Sequence, residues 1–383
     1  MMKKLKKVLL VILAAVTLPI FKVSVSNADN LFVTSAKSAY LADYNTDTVI
    51  FKQDEEKRLP IASMTKIMLL NLVFDEVETG NLSLSDEIVV SKTASAMGGS
   101  QVFLQAEGAY TVSDLVKSVI VASANDASVA LAEKICGTEA AFVNKMNQTA
   151  KDWGLKNTLF SNCTGLPKPT QYSCAKDVAF MLKQLLKHDD YYKYSNIWLD
   201  EIVHPDGTKT TITNTNKLSR FYDGCDGGKT GFTSESKFCL AATAKRNNTR
   251  LICVVIGEES SEKRFKEASD MFNVGFSNYE TTVAVDANKP LNKVLVKGSY
   301  LEYIDAYPKN DLTVFQKIGE KVNYDVTKKL SDDIKAPLKK GDKVGEVTIF
   351  VDGVEYQKTD LVVNCDVYVQ SYGESFDKIA KNW

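Results

Sequence analysis

Apolar and polar positions change their period three times along this chain. Ala39-Tyr40-Leu41-Ala42-Asp43-Tyr44 and Thr48-Val49-Ile50-Phe51-Lys52 are strand-like runs joined by the polar Asn45-Thr46-Asp47, which predicts a hairpin. From Pro60 the period becomes helical: Ile61, Met64, Ile67, Met68, Leu72 and Val73 recur up to a stop at Gly80, with proline near the first turn. Thr111-Val112-Ser113-Asp114 opens another helix in capping-box style, and further helices are predicted from about Asp126 to Gly137, over 139–152 and over 175–187. Strand patterns return at 210–218, 237–244 and 250–257, and an amphipathic helix over 261–279 closes the segment. Helices lying between early and late strands imply one sheet assembled from both ends of the segment with helices packed on it, an α/β (α+β) arrangement.

From about residue 282 the helical signal stops. Short strand runs at 293–296, 300–306, 312–316, 321–326, 343–350 and 361–363 alternate with turns, and Asp352-Gly353 suits a tight turn. This predicts a separate all-β domain. The composition of the 383 residues, 44% apolar and 25% charged, is that of a globular chain, and the length suits two domains.

The N-terminus has another character. Four lysines within Met1–Lys7 precede a nearly pure apolar run from Val8 to Phe21, and Ser26-Asn27-Ala28 places small residues where a signal peptidase reads, so 1–28 is a secretory signal peptide. Fourteen apolar residues interrupted by Pro19 fall short of the roughly 20 that span a bilayer. The expected division is 1–28 signal peptide, 29–280 catalytic domain, 281–370 β domain and 371–383 a short tail, with the mature protein exported to the outer face of the cytoplasmic membrane or the wall space. In the tail, Phe376, Ile379, Ala380 and Trp383 share a helical spacing with Lys378 and Lys381 on another face. That pattern suits peripheral membrane contact and equally a frayed end.

Beyond the leader the chain keeps 42 basic against 48 acidic residues, a charge of about −6 that disfavours nucleic acid as a partner. Seven cysteines include no C-x-x-C pair, and only His188 and His204 occur, so neither a metal nor a cofactor is expected and the cysteines read as structural. Cys239 and Cys253 sit inside apolar strand runs, where cysteine acts as a small buried hydrophobe.

The chemistry-bearing residues form three short stretches. Ser63-Met64-Thr65-Lys66 puts a hydroxyl and an amine on one helix face at i and i+3, near a helix N-terminus whose N–H groups favour a developing oxyanion. Serine becomes a nucleophile once a neighbour takes its proton, which lysine does when burial or a second cation lowers its pKa. S-x-x-K starts at five serines here, so it discriminates little alone, but Ser123-Ala124-Asn125 is the single S-x-N and Lys229-Thr230-Gly231 the single K-T-G. Their order, with gaps of 57 and 104 residues, is what singles out Ser63.

This set is that of penicillin-binding proteins and class A β-lactamases, and the chain resembles the D-alanyl-D-alanine carboxypeptidases among low-molecular-weight penicillin-binding proteins. The resemblance runs through the leader, Leu59-Pro60-Ile61-Ala62-Ser63, Ser123-Ala124-Asn125-Asp126-Ala127, Gly228-Lys229-Thr230-Gly231 and the β domain with Ala336-Pro337-Leu338-Lys339-Lys340-Gly341. It implies a transpeptidase-like domain of antiparallel sheet and helices followed by a small β domain. It further implies that Ser63 attacks the carbonyl between two D-alanines, Lys66 takes its proton, and Ser123 passes a proton to the leaving amine. Asn125 would hold Lys66 and the substrate amide, and Lys229 would add positive charge that keeps Lys66 neutral. Thr230 and Arg264 would bind the terminal carboxylate, Gly231 would take part in substrate binding, and the N–H groups of Ser63 and Phe232 would form the oxyanion hole. The implied partners are a stem peptide ending in D-Ala-D-Ala and β-lactams as covalent inhibitors. Many relatives carry histidine in place of Phe232.

Three alternatives share parts of this pattern. A β-lactamase needs a glutamate-activated water, yet no E-x-x-L-N stretch lies between Asn125 and Lys229. A D,D-endopeptidase acting on cross-links would use the same residues. A non-catalytic wall-binding scaffold would be expected to have lost a motif residue, and none is missing.

Overall fold

A computed structural model describes residues 32–371 and Gly373. The expected leader and nearly all of the expected amphipathic tail lie outside these residues. No helix among the described residues is long and apolar enough to cross a membrane.

The main sheet has five antiparallel strands: β1 (Ser38–Asp43), β2 (Val49–Gln53), β3 (Cys225–Thr233), β4 (Lys237–Arg246) and β5 (Thr249–Glu258), in the order β2-β1-β5-β4-β3. Both chain ends of the segment thus contribute strands, as their pattern implied. Every residue of β1 is buried because it is interior to the sheet and covered on both faces. Its alternation sorts the two cores: Tyr40 and Ala42 face the larger helical layer, while Ala39 and Leu41 face a single long helix.

The larger layer contains α1 (Lys66–Glu78), α2 (Val112–Lys117), α3 (Asn125–Cys136), α4 (Glu139–Asp152) and α5 (Ala175–Leu185). α1 is buried continuously from Lys66 to Phe74, as expected of a helix surrounded by others rather than laid on a surface. The opposite face carries α6 (Ser261–Asn278), whose Ala268, Met271 and Phe272 pack on Leu41, Cys253 and Val255.

Beyond α6 come β6 (Tyr279–Val285), β7 (Asn292–Leu295), β8 (Tyr303–Pro308), β9 (Leu312–Lys317), β10 (Tyr324–Leu330), β11 (Lys343–Val351) and β12 (Val354–Val363). β6 pairs with β9, and the others form an antiparallel sheet in the order β7-β8-β12-β11-β10. Val294, Ile304, Val347, Ile349, Leu361 and Val363 make its core.

Several elements differ from the expectation for physical reasons. The run 210–218 is strand only over Lys209–Thr213, because Asn214 and Asn216 divert the backbone. Asn214 Oδ1 accepts the Asn216 N–H at 2.9 Å and Asn216 Oδ1 accepts that of Leu218 at 3.2 Å. β3 gave no strand signal, since three of its nine residues are glycine. β10 lies at 324–330 rather than 321–326 and is almost wholly exposed, and the first half of β12 is polar, so neither carries an apolar alternation. The helix expected from Pro60 begins with a 3-10 turn, Ala62–Thr65, before α1. All seven cysteines are free thiols, and Cys239 and Cys253 are fully buried in β4 and β5.

Candidate active site

The site forms where the 3-10 turn, the start of α3 and the edge strand β3 meet. Ala62 adopts a left-handed φ of 47° before Ser63, a strained conformation that turns the chain sharply into the helix. Ser63 occupies the first turn, where backbone N–H groups have no intrahelical acceptor. The approach between this turn and β3 is close enough that a Cβ on Gly231 would lie 2.6 Å from the Ile61 carbonyl oxygen, which explains glycine at the third motif position.

Lys66 is fully buried, and its Nζ touches three oxygens: Ser63 Oγ at 2.9 Å, Asn125 Oδ1 at 2.7 Å and the Thr164 carbonyl at 2.5 Å. Two of these three can only accept. A neutral amine has two N–H donors and one lone pair, so when the donors satisfy Asn125 and Thr164, the lone pair faces the one partner with a proton to give, the Ser63 hydroxyl. Burial pushes the Lys66 pKa down to about 7, against upward pulls from Cys163 and Asp126.

Ser123 and Asn125 are aligned by an unusual lead-in. Residues 118–122 form a π turn that ends at Ser123, whose φ of 62° is left-handed. Its hydroxyl is buried and has no partner among the described residues. Asn125 donates from Nδ2 to the Gly98 carbonyl at 2.7 Å, which fixes its Oδ1 on Lys66.

Lys229 is buried in β3, and its Nζ reaches the Thr230 carbonyl at 3.3 Å. Burial pushes its pKa well down, and Lys66 and Arg264 push it further. Burial leads the downward shift at Lys66, and the like-charge repulsion between the two lysines shows at Lys229.

Thr230 is buried, and Phe232 is half exposed, its ring 4.4 Å from that of Phe238. Arg264, at the first turn of α6, is buried rather than a surface charge. Its Nη1 donates to the carbonyls of Gly231 at 3.1 Å and Cys239 at 3.3 Å. No carboxylate among the described residues forms an ion pair with it, and burial pulls its pKa down to about 10.

The sequence reading missed one component, the loop at 162–166. Asn162 Oδ1 accepts the N–H groups of Thr164 at 3.2 Å and Gly165 at 2.7 Å, which aims the Thr164 carbonyl at Lys66. Gly165, with a φ of 86°, passes so close beneath Ser63 that a Cβ there would lie 2.1 Å from the Ala62 carbonyl oxygen. Asp126 directly follows the Ser123-Ala124-Asn125 stretch. It is fully buried and accepts the N–H groups of Val102 and Leu104, each at 3.1 Å, so it ties the 98–104 loop to α3. A loop carbonyl has no residue-type signature, and only Asn162-Cys163-Thr164-Gly165 as a polar turn hinted at it.

Comparison with known proteins gives a consistent picture. Residues 23–260 match the family described as D-alanyl-D-alanine carboxypeptidase, and 279–368 match the penicillin-binding protein 5 C-terminal domain. The D-alanyl-D-alanine carboxypeptidase DacF of Bacillus subtilis is 41% identical over 320 residues, covering 83% of this chain and 82% of the relative. The crystal structure of penicillin binding protein 5 from Haemophilus influenzae superposes with a TM-score of 0.68 at 30% identity, covering 88% of this chain and 98% of the other. A peptidoglycan synthesis regulatory factor, PBP3, from Streptococcus pneumoniae gives a TM-score of 0.72 at 25% identity, covering 88% of this chain and all of the other.

Proposed function

Since this chain belongs to the D-alanyl-D-alanine carboxypeptidase family, we propose that it works through an acyl-enzyme on Ser63 with the residues described above in defined roles. The chain is a serine-type D-alanyl-D-alanine carboxypeptidase, a hydrolase that acts on peptidoglycan stem peptides and is acylated by β-lactams. In the first step Ser63 Oγ attacks the penultimate D-alanine carbonyl while its proton passes to the Lys66 lone pair. The oxyanion is met by the N–H groups of Ser63 and Phe232. As the peptide C–N bond breaks, the Ser123 hydroxyl delivers a proton to the leaving amine and takes one back from the Lys66 ammonium, so Lys66 is neutral again as the terminal D-alanine departs. Water then attacks the Ser63 ester, giving the shortened peptide and the free hydroxyl.

Asn125 holds Lys66 in register. Thr230 and the Arg264 side of β3 receive the terminal carboxylate, and Gly231 lets the strand approach. A buried guanidinium without a carboxylate partner favours such an anion. Residues 29–280 form the catalytic part and 281–370 the β domain. Residues 1–28 export the chain to the wall space, and 371–383 make peripheral contact with the membrane.

The observation that carries this reading is the Lys66 environment, in which two carbonyl acceptors leave its lone pair to Ser63. Incubating purified protein with a stem pentapeptide tests it. Release of free D-alanine, absent in Ser63→Ala, supports the reading, whereas cleavage of cross-linked dimers alone, or wall binding without any product, overturns it.

A further inference from the structure

The first described residues, 32–37, lead into β1 alongside β5 and α6. Phe32 packs edge-on against Phe51 with ring centroids 5.5 Å apart, the Ala36 carbonyl accepts from Gln53 Nε2 at 2.8 Å, and the Lys37 N–H donates to the Ile256 carbonyl at 2.9 Å. The Lys37 side chain lies directly on Gly257, where a Cβ would meet its Cγ and Cδ at 2.8 Å. Between these contacts Thr34 and Ser35 meet two carboxyl groups, Glu258 at the end of β5 and Glu267 on α6.

The two carboxyls are supplied unequally with donors. Glu267 accepts the Thr34 hydroxyl, the Ser35 N–H at 3.1 Å and the Ser35 hydroxyl at 2.7 Å, a set that favours its ionised form. Glu258 is fully buried, its Oε1 meets no donor among the described residues, and its Oε2 lies 3.0 Å from the same Ser35 oxygen. A hydroxyl has one hydrogen, and the shorter contact to Glu267 takes it. The contact between Ser35 and Glu258 is then a hydrogen bond only when Glu258 carries a proton to donate. No ion pair to Glu258 among the described residues replaces that proton: Lys263, whose charge reaches it, pairs with Glu259 at 2.8 Å.

We propose that these groups form a proton-operated latch: a neutral Glu258 carboxyl donates to Ser35 while ionised Glu267 gathers the Thr34 and Ser35 donors, and loss of the Glu258 proton to solvent opposes two carboxylates and releases residues 34–37 from β5 and α6. Burial, and then the contact with Glu267, raises the Glu258 pKa to about 7, which sets the opening just above neutrality. At Glu267 burial is outweighed by the hydrogen bonds from Glu258, Ser35 and Thr34, and its pKa is lowered. The other groups facing the pair do not take over the role of that proton. Lys37 of the segment is exposed, Lys263 is engaged by Glu259, Lys266 pairs with Asp270 at 2.5 Å, and burial raises the thiol pKa values of Cys239 and Cys253.

The test uses the full mature protein and hydrogen–deuterium exchange of residues 34–37 from about pH 6 to about pH 9. Protection, corrected for the intrinsic pH dependence of exchange, should be level below about 7 and fall by up to about tenfold per pH unit above it, the slope of one released proton. Glu258→Gln cannot ionise and keeps an N–H for Ser35, so it should hold the segment across the whole range with no step. Infrared titration of the parent serves alone if that variant does not fold: a carboxylic-acid band should disappear with a midpoint near 7. Equal protection at both ends of the range, the same step in Glu258→Gln, or no such band at the acidic end would each overturn the proposal. Protection restored by calcium at the alkaline end would also overturn it, by placing a metal ion between the carboxylates.

Discussion

Gly165→Ala isolates the part of the site that the motifs do not contain. The added methyl would sit 2.1 Å from the Ala62 carbonyl oxygen, 2.3 Å from its carbonyl carbon and 2.8 Å from the Ser63 nitrogen, where ordinary contact begins at 3.4 Å. All three are backbone atoms, so no side chain can rotate away, and relief requires the loop or the Ser63 turn to move by over an ångström. A displacement of about 1 Å at a reacting group costs on the order of 100-fold in rate. A residue forced into a left-handed φ adds about 1 kcal/mol or more of destabilisation. The control is Gly137→Ala, which meets the same backbone penalty at a φ of 78° but has nothing within 4 Å of the new methyl. Both variants should lower the thermal midpoint. Only Gly165→Ala should also slow acylation by a fluorescent penicillin, measured as a second-order rate constant on folded protein. If it acylates as fast as Gly137→Ala, the claim that the 162–166 loop pins Ser63 against Lys66 is wrong.

Acylation should rise with pH to a plateau with a midpoint near 7, since Lys66 must be neutral to accept the proton and burial lowers its pKa to about 7. A midpoint near the ordinary lysine value would show that Lys66 is not the base. The same shift acts on stability. Because the folded pKa lies below the unfolded one of 10.5, the unfolded chain holds the extra proton between about 7 and 10.5, and the Lys66 contribution to stability improves with rising pH across that window. Denaturation of Lys66→Ala beside the parent should show that slope missing in the variant, while its acylation falls by about 100- to 10,000-fold. Asp126→Ala leaves the N–H groups of Val102 and Leu104 without their acceptor and should cost about 1–3 kcal/mol per group in urea denaturation, with an unchanged midpoint as the contrary result. Phe232→Ala keeps the backbone N–H and removes an exposed ring that lies tilted at 31° against Phe238. It should lose about 1 kcal/mol of stability and keep acylation close to parental, and a large rate loss would assign the ring a role.

What could be read from the chain depended on where function and burial leave marks on residue type. β1, β5 and α1 announced themselves because they are buried, and burial demands apolar residues in strand or helix period. β3 carries Lys229-Thr230-Gly231 yet shows no strand pattern, since the glycines that allow the close approach to Ile61 also erase strand propensity. The exposed strand β10 and the polar first half of β12 failed for the opposite reason: with little to bury, they needed no apolar alternation. At the site, Ser63, Lys66 and Asn125 were recognisable by spacing, and they converge within hydrogen-bond reach. Thr164 was not recognisable, because it acts through a carbonyl that every residue possesses. Arg264 entered through the resemblance alone, because a lone arginine at a helix start has no signature of its own, and its burial beside the Gly231 and Cys239 carbonyls comes from the packing of α6.

The most direct test of the account is the mass of the protein after brief exposure to penicillin, followed by proteolysis and mapping of the modified peptide. A single adduct of the full antibiotic mass on the peptide containing Ser63, absent from Ser63→Ala and slow to form in Lys66→Ala, is the predicted result. An adduct on another serine, or release of D-alanine from pentapeptide with no adduct at all, would contradict it.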